Sequence, residues 1–177
     1  EEPSAEVALE VVPEPAPAPE AAPVAPANQP PANAFALPDA SFQAVPSDEI
    51  DEEIREVFVE EVQDELDNLN RQYPAWVADQ SDAEKLKPVR RSFHTLKGSG
   101  RLVGALAIGE FSWKIENMLN RLLDKTIEVS PALLDLMENA IAALPELLAA
   151  LRDEGPPKSN IGAMMWCADR LAAGEEA

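Results

Sequence analysis

The distribution of proline divides this chain into two parts with different structural possibilities. Residues 1–46 contain eleven of the 17 prolines, together with seven acidic residues and no basic residue. Proline lacks a backbone donor and disrupts both helix and sheet, and alternating alanine and proline favour an extended, polyproline-like chain. The acidic side chains also repel one another. We therefore predict that residues 1–46 are a disordered, semi-rigid linker.

From residue 47 onward the pattern is that of amphipathic helices. The first helix has Ser47 or Asp48 as candidate N-cap, and its apolar residues recur at steps of three and four. The members of this stripe are Ile50, Ile54, Val57, Phe58, Val62, Leu66 and Leu69. The acidic residues between them are interpreted as a solvated outer face. Pro74 is expected to break the pattern, with Tyr73 and Trp76 packing against the end of the bundle.

The second and third helices follow from the same periodicity. The second begins either at the capping-box sequence of residues 81–84 or at Pro88, and Gly104 is a natural terminator. The third extends through residues 105–125, and its stripe comprises Ile108, Phe111, Ile115, Met118, Leu119 and Leu122. Exposed apolar surface around Ile108 and Phe111 is a possible docking surface, although core packing explains most of it.

The fourth helix opens with Ser130 as its cap and Pro131 at its first position. Pro145 should kink or interrupt it, and its alanine-rich end, residues 140–151, packs internally or pairs with a partner. A short closing helix ends at Gly174. No strand or hairpin signal is present, so we predict an all-α fold over residues 47–174. Its architecture is an antiparallel four-helix bundle with a short extra C-terminal helix.

Charge and composition restrict the possible partners and sites. A net charge of −19 argues against nucleic acid and against anionic membranes as partners. With one cysteine, Cys167, and one histidine, we expect no internal disulfide, no metal site and no cofactor. The cysteine usage favours a cytoplasmic location. The chain has no initiator Met, signal pattern or membrane-spanning run, and we expect it to be part of a longer protein.

The single histidine, His94, lies in the one strongly basic stretch of this acidic chain. Residues 85–101 contain six basic residues and no acidic one. The apolar stripe of this helix comprises Leu86, Val89, Phe93, Leu96 and Gly100. On a helical wheel His94 lies roughly 120° from that stripe. Its basic neighbours on the outer strip are Lys87, Arg90, Lys97 and Arg101.

This arrangement suits a nucleophile better than a core histidine. Nearby cations disfavour the imidazolium form, and a neutral ring has a free lone pair. The same cations would attract an incoming phosphoryl group. Gly98 and Gly100 weaken the helix, which indicates clearance for a docking partner or close helix–helix packing. A surface histidine without any special role remains the alternative at this point.

The sequence "FHTLKGSGRLVGA" resembles the signature of histidine-containing phosphotransfer (HPt) domains. The matching positions are His94, Leu96, Lys97, Gly98, Ser99, Val103 and Gly104. The resemblance extends from about residue 48 to residue 151, so it covers the four main helices. It implies that His94 is phosphorylated on Nε2, that Lys97 lies beside the phosphoryl group, and that Gly98 leaves room for a partner. Lys87, Arg90 and Arg101 would then supply a basic surround.

The helix after the histidine is similar to the first domain of CheA-type kinases. In "SWKIENMLNRLLD", Glu116 corresponds to a glutamate that holds the other ring nitrogen of the histidine. The alternative is that Glu116 is a surface charge paired with Lys114 or Asn120. CheA-type domains often have a second histidine one turn earlier, where this chain has Trp113.

Together with the Pro/Ala-rich linker, this region resembles the large chemosensory hybrid kinases of the type IV pilus (the PilL/ChpA-like group). The resemblance implies a phosphorelay module with no ATP site of its own, in a parent that is a histidine kinase. Its partners would be response-regulator receiver domains and a kinase catalytic domain. The alternative is a helical adaptor of the same fold used for docking or assembly. A metal-dependent hydrolase is disfavoured because additional histidines or inward acid clusters are missing.

Overall fold

The computed structural model describes residues 51–175, and five helices account for most of them. They are α1 (Glu52–Val77), α2 (Ala83–Leu102), α3 (Leu106–Leu123), α4 (Pro131–Leu151) and α5 (Ile161–Ala172). Each of α1 and α3 packs against both α2 and α4, and α5 lies on α3 and α4. The prediction of an all-α four-helix bundle with a short extra helix is confirmed. The linker lies outside the described residues, and the domain bounds at 46 and 174 stay predictions.

The apolar stripes of the helices meet in one core. Its largest fully buried members include Trp76, Phe58, Phe93, Phe111, Ile115 and Met118. Ile108 and Phe111 are 2% and 0% exposed, so they belong to the core and contribute nothing themselves to the docking surface suggested around them. The alanine-rich end of α4 packs inward, with Ala140 and Ala143 both fully buried. Because short helices are marginal alone, this shared burial is what holds the five elements together.

Helix ends follow ordinary capping chemistry, though not always at the residues expected. Asp82 accepts from Glu84 N at 2.9 Å, so α2 begins at Ala83 and not at Pro88. Ser130 caps α4 as predicted, with a 3.2 Å hydrogen bond from Leu133 N.

Asp51 caps α1, and the proposed caps Ser47 and Asp48 lie outside the described residues. Gly104 and Gly174 follow the ends of α2 and α5 with φ of 80° and 78°, a region open to glycine.

Three prolines lie inside helices that continue past them. Pro74, Pro88 and Pro145 are internal to α1, α2 and α4, so the expected break at Pro74 and an interruption at Pro145 are wrong, while a kink at Pro145 stays a prediction. A proline removes one backbone hydrogen bond, but buried side chains on both sides can hold the helix in place. Around Pro74 these are Tyr73 and Trp76, which are 6% and 1% exposed. Packing therefore outweighs local propensity in this bundle.

The first turns of α1 are less covered than the periodicity indicates. Ile54 and Val57 are 52% and 66% exposed, so their assignment to the core is wrong. They line an open groove of about 390 Å³ together with Leu102 at the end of α2. Ile50 lies outside the described residues. Among residues 51–175, no helix combines the length and apolarity needed to cross a bilayer.

Candidate functional site

The site is built where α2 and α3 pack against each other, and two glycines set their approach. A Cβ added to Gly100 would lie 3.0 Å from the backbone nitrogen of Gly109 and 3.2 Å from the carbonyl oxygen of Ala105. A Cβ on Gly109 would lie 3.3 Å from the backbone nitrogen of Arg101. Backbone therefore packs on backbone here. The two roles considered for the glycines were clearance for a partner and close helix packing. Gly100 has the second role.

His94 lies on the outer side of this contact, with its ring anchored at one edge. Its side chain is 56% exposed, and its Nδ1 lies 2.7 Å from Glu116 Oε1. An ionised carboxylate only accepts hydrogen bonds, so Nδ1 carries the proton and donates it. The lone pair of the neutral ring is then on Nε2. The helical wheel predicted that His94 is exposed, and its hydrogen-bond partner, Glu116, comes from α3.

Glu116 is a buried carboxylate shared by two side chains of α2. Its side chain is 5% exposed, and its second oxygen, Oε2, lies 2.5 Å from Lys97 Nζ. Burial raises the pKa of the Glu116 carboxyl, but hydrogen bonds and charge from Lys97 and His94 outweigh burial, so its net pKa lies below the usual value. The alternative of a surface charge paired with Lys114 or Asn120 is wrong, because Glu116 faces α2.

The other basic residues of the strip bind different partners. Lys87 pairs with Glu84 at 2.5 Å, one turn earlier on the same helix. Arg101 reaches Glu110 at 3.4 Å and lies over the ring of Trp113, 5.8 Å from its centroid. Each basic residue of the strip therefore has its own partner, and most of these partners lie on α3.

Arg90 donates from Nε to Asn120 Oδ1 at 2.8 Å. This pair joins α2 to α3 one helical turn away from the pair of His94 and Glu116. Sequence reasoning considered Asn120 only as a partner for Glu116. The signal that could have found the pair is spacing: residues 90 and 94 on one helix face residues 120 and 116 on an antiparallel one.

Gly98 lies in a different environment from Gly100. A Cβ added to Gly98 would meet no atom within 4 Å. Gly98 is exposed and is one helical turn after His94. Open space beside the ring is the geometry that approach of a second molecule requires.

The chemistry of this arrangement is that of an exposed, oriented imidazole near cations. Among residues 51–175 there is no group of three or more histidine, cysteine or acidic side chains positioned to hold a metal ion. Because Nδ1 donates its proton in a hydrogen bond to Glu116 and the ring is exposed, the Nε2 lone pair can act as a nucleophile.

Comparison with known proteins identifies the family of this chain. The family model described as the Hpt domain matches residues 53–154, which is more than half of the chain. The chain belongs to the Hpt domain family. The match includes α1 to α4 almost completely and leaves out α5. His94 and Glu116 both lie within the matched Hpt residues.

Three curated relatives of this Hpt domain are proteins of bacterial chemotaxis or sensing. It is 28% identical over 104 residues to chemotaxis protein CheA of Borreliella burgdorferi, and 26% identical over 106 residues to CheA of Bacillus subtilis. It is 26% identical over 109 residues to the sensor histidine kinase CheAY of Helicobacter pylori. These alignments use 59–62% of this chain but span only 12–16% of the relatives' lengths.

A solved structure shows the same fold. It is the phosphorylated P1 domain of CheA3 in complex with CheY6 from R. sphaeroides. The TM-score is 0.60 at 18% identity, and the match covers 70% of this chain and 98% of that one. This likeness identifies the Hpt bundle architecture.

Proposed function

We propose that this Hpt domain is a histidine phosphotransfer module in which His94 Nε2 accepts a phosphoryl group and passes it to a receiver aspartate. The observation that carries the proposal is the 2.7 Å contact between His94 Nδ1 and the buried Glu116 carboxylate. It holds the proton on Nδ1, orients the ring, and leaves the exposed Nε2 as the nucleophile.

The reaction is an in-line displacement at phosphorus. The Nε2 lone pair forms the P–N bond while the bond from phosphorus to the donor's oxygen breaks, and the electron pair leaves with that oxygen. Glu116 stabilises the positive charge that develops on the ring, through the proton on Nδ1. In the acceptor step an aspartate carboxylate attacks the phosphorus and the P–N bond breaks, so the lone pair returns to Nε2.

The proposed roles of the other site residues follow from their positions. Lys97 would stabilise the phosphoryl group from its place beside Glu116, and Gly98 would leave room for a partner's backbone. The basic surround of Lys87, Arg90 and Arg101 would favour an anionic partner surface. The domain would provide no ATP site, so the phosphoryl group would come from a kinase domain or from a receiver phosphoaspartate.

We propose receiver domains and a histidine kinase catalytic domain as partners. The complex of the CheA3 P1 domain with CheY6 supports a receiver, and the CheA relatives support a kinase as the parent protein. The finer assignment is to a hybrid kinase of the type IV pilus group, acting in the cytoplasm. It rests on the sequence resemblance of residues 108–124 and of the Pro/Ala-rich segment. A twitching-motility assay on a strain carrying His94→Gln tests that assignment.

Phosphotransfer itself is tested with the full chain, a cognate kinase or phosphorylated receiver, and three variants. We expect acid-labile, base-stable label on the wild type and none on His94→Gln. Gly98→Gln should accept label from the small donor phosphoramidate at the wild-type rate but exchange it slowly with a receiver. Ser99→Ala is the matched control on the same turn and should behave as wild type. A folded, unlabelled wild type would instead support the adaptor.

A further inference from the structure

The charge of Lys97, the cation proposed to meet the phosphoryl group, is already balanced. Its Nζ lies 2.5 Å from Glu116 Oε2, and a carboxylate buried this deeply is costly to leave unpaired. A phosphoryl group on His94 adds roughly one and a half to two negative charges near neutral pH. Lys97 cannot neutralise both anions completely. A second cation near His94 would supply the positive charge that the phosphoryl group still lacks.

Two of the other cations on this face are also paired with acids. Lys87 lies 2.5 Å from Glu84, and Arg101 lies 3.4 Å from Glu110. Arg90 differs because its hydrogen-bond partner is the neutral amide of Asn120. That hydrogen bond uses the Nε–H group, and within residues 51–175 Arg90 forms no ion pair with an acidic side chain, so its fork of terminal N–H donors can bind an anion.

Arg90 and His94 are neighbours, one helical turn apart on the same strip of α2. Helical side chains lean toward the N-terminus, so the His94 ring lies over the turn that contains Arg90. On the antiparallel α3, the side chain of Asn120 leans toward Glu116 for the same reason. The 2.8 Å hydrogen bond between Arg90 and Asn120 is therefore adjacent to the 2.7 Å contact between His94 and Glu116.

We propose that Arg90 is a phosphoryl-binding residue of this domain and that Asn120 is the positioning residue that orients its guanidinium. This inference rests on the proposed function of His94. The ligand is the phosphoryl group on His94 Nε2, bound through the terminal nitrogens of Arg90. A planar guanidinium suits two phosphoryl oxygens, whereas the Lys97 ammonium would approach as a point charge.

The test uses the full chain, phosphorylated with phosphoramidate so that no partner protein contributes. Phosphorus NMR follows the second ionisation of the phosphohistidine with pH, and the labelling rate is measured in parallel. Arg90→Gln should move the midpoint of that ionisation upward by about half a pH unit or more and slow labelling about three- to tenfold. Arg91→Gln removes the same charge from the exposed next residue and is the matched control.

Variants of the positioning residue separate orientation from charge. Asn120→Ala should give a smaller upward shift of the midpoint, and Asn120→Asp should approach the effect of Arg90→Gln because the new carboxylate would pair with Arg90. Circular dichroism melting of each variant confirms that it is folded.

Suppose that the wild type takes label but Arg90→Gln and Arg91→Gln have the same ionisation midpoint and the same labelling rate. That result would overturn the role of Arg90 and leave the proposed function of His94 standing. A folded wild type that takes label from neither phosphoramidate nor a cognate donor would overturn the proposed function, and the inference with it.

Discussion

Lys97 and Glu116 form a 2.5 Å ion pair between α2 and α3, and the second oxygen of the same carboxylate contacts His94. One buried acid thus links the structural stability of the α2–α3 contact to the state of the exposed histidine. The first prediction follows from this double role.

Glu116→Gln should lower the free energy of unfolding at neutral pH by about 1–3 kcal/mol, because Lys97 loses its buried charged partner. The pKa of Glu116 is lowered in the folded protein from its ordinary value of 4.5. Its contribution is therefore complete above about pH 4.5 and is lost as the pH falls through the folded pKa. Urea unfolding of wild type and variant from neutral pH to pH 3 should show their difference shrinking in acid.

Glu110→Gln is the matched control for this pH series. Glu110 also lies on α3 and pairs with an α2 cation, but both side chains of that pair are 46% exposed. We expect an effect of less than about 1 kcal/mol on unfolding, because exposed ion pairs contribute little. If Glu116→Gln lowers the free energy of unfolding as little as Glu110→Gln does, or by an amount that does not change with pH, the role assigned to the buried pair is contradicted.

The two site glycines should respond oppositely to alanine. Gly98→Ala adds a methyl group to open space and should raise the free energy of unfolding by up to about 1 kcal/mol through helix propensity. Gly100→Ala places a Cβ 3.0 Å from the Gly109 backbone and should lower it by about 1–3 kcal/mol. Urea denaturation measures both. Two variants of equal stability would show that the α2–α3 approach is not set at Gly100.

Tyr73, the one tyrosine in the chain, should titrate well above its usual range. Its hydroxyl donates to Leu134 O at 3.1 Å, and burial, together with the charges of Glu138 and Asp135, raises its pKa from 10.0 to about 12. Near-ultraviolet absorbance of tyrosinate should rise near pH 12 in the folded protein and near pH 10 in urea.

The sign of the linked stability change follows from this shift. Unfolded Tyr73 ionises first, so stability should decrease as the pH rises from 10 toward 12. Tyr73→Phe removes both the absorbance change and this part of the alkaline destabilisation. A midpoint near 10 in the folded protein would show that the Tyr73 side chain is not buried against α4.

Glu146 should control how firmly α5 is attached. Its carboxylate accepts from the backbone nitrogens of Lys158 and Ser159 at 2.8 and 2.7 Å, and from the Ser159 hydroxyl at 2.9 Å. Glu146→Ala should increase amide hydrogen exchange in residues 158–172 at least several-fold, with little change in α2. Glu154→Ala is the control, because Glu154 is an exposed acid in the segment that connects α4 to α5. Unchanged amide exchange in α5 would mean that its own apolar contacts hold it in place without Glu146.

Much of the fold could be predicted because helical periodicity is a local property. The stripes that include Phe58, Phe93 and Phe111 are buried as their spacing indicates. The same reasoning failed at Ile54 and Val57, because burial depends on whether a neighbouring helix is present to cover them. The break expected at Pro74 also failed to appear, because side-chain packing outweighs the loss of one backbone hydrogen bond.

The sequence by itself determined the helices, the position of His94 on the outer strip of α2, and the concentration of cations around it. Those features depend only on residue order and the helical repeat. Only the tertiary structure decided which side chain of α3 meets which side chain of α2. Glu116 lies on the flank of its helix, where it could face solvent or a neighbour. The close approach at Gly100 and Gly109 turns it inward to His94 and Lys97, and places Asn120 against Arg90.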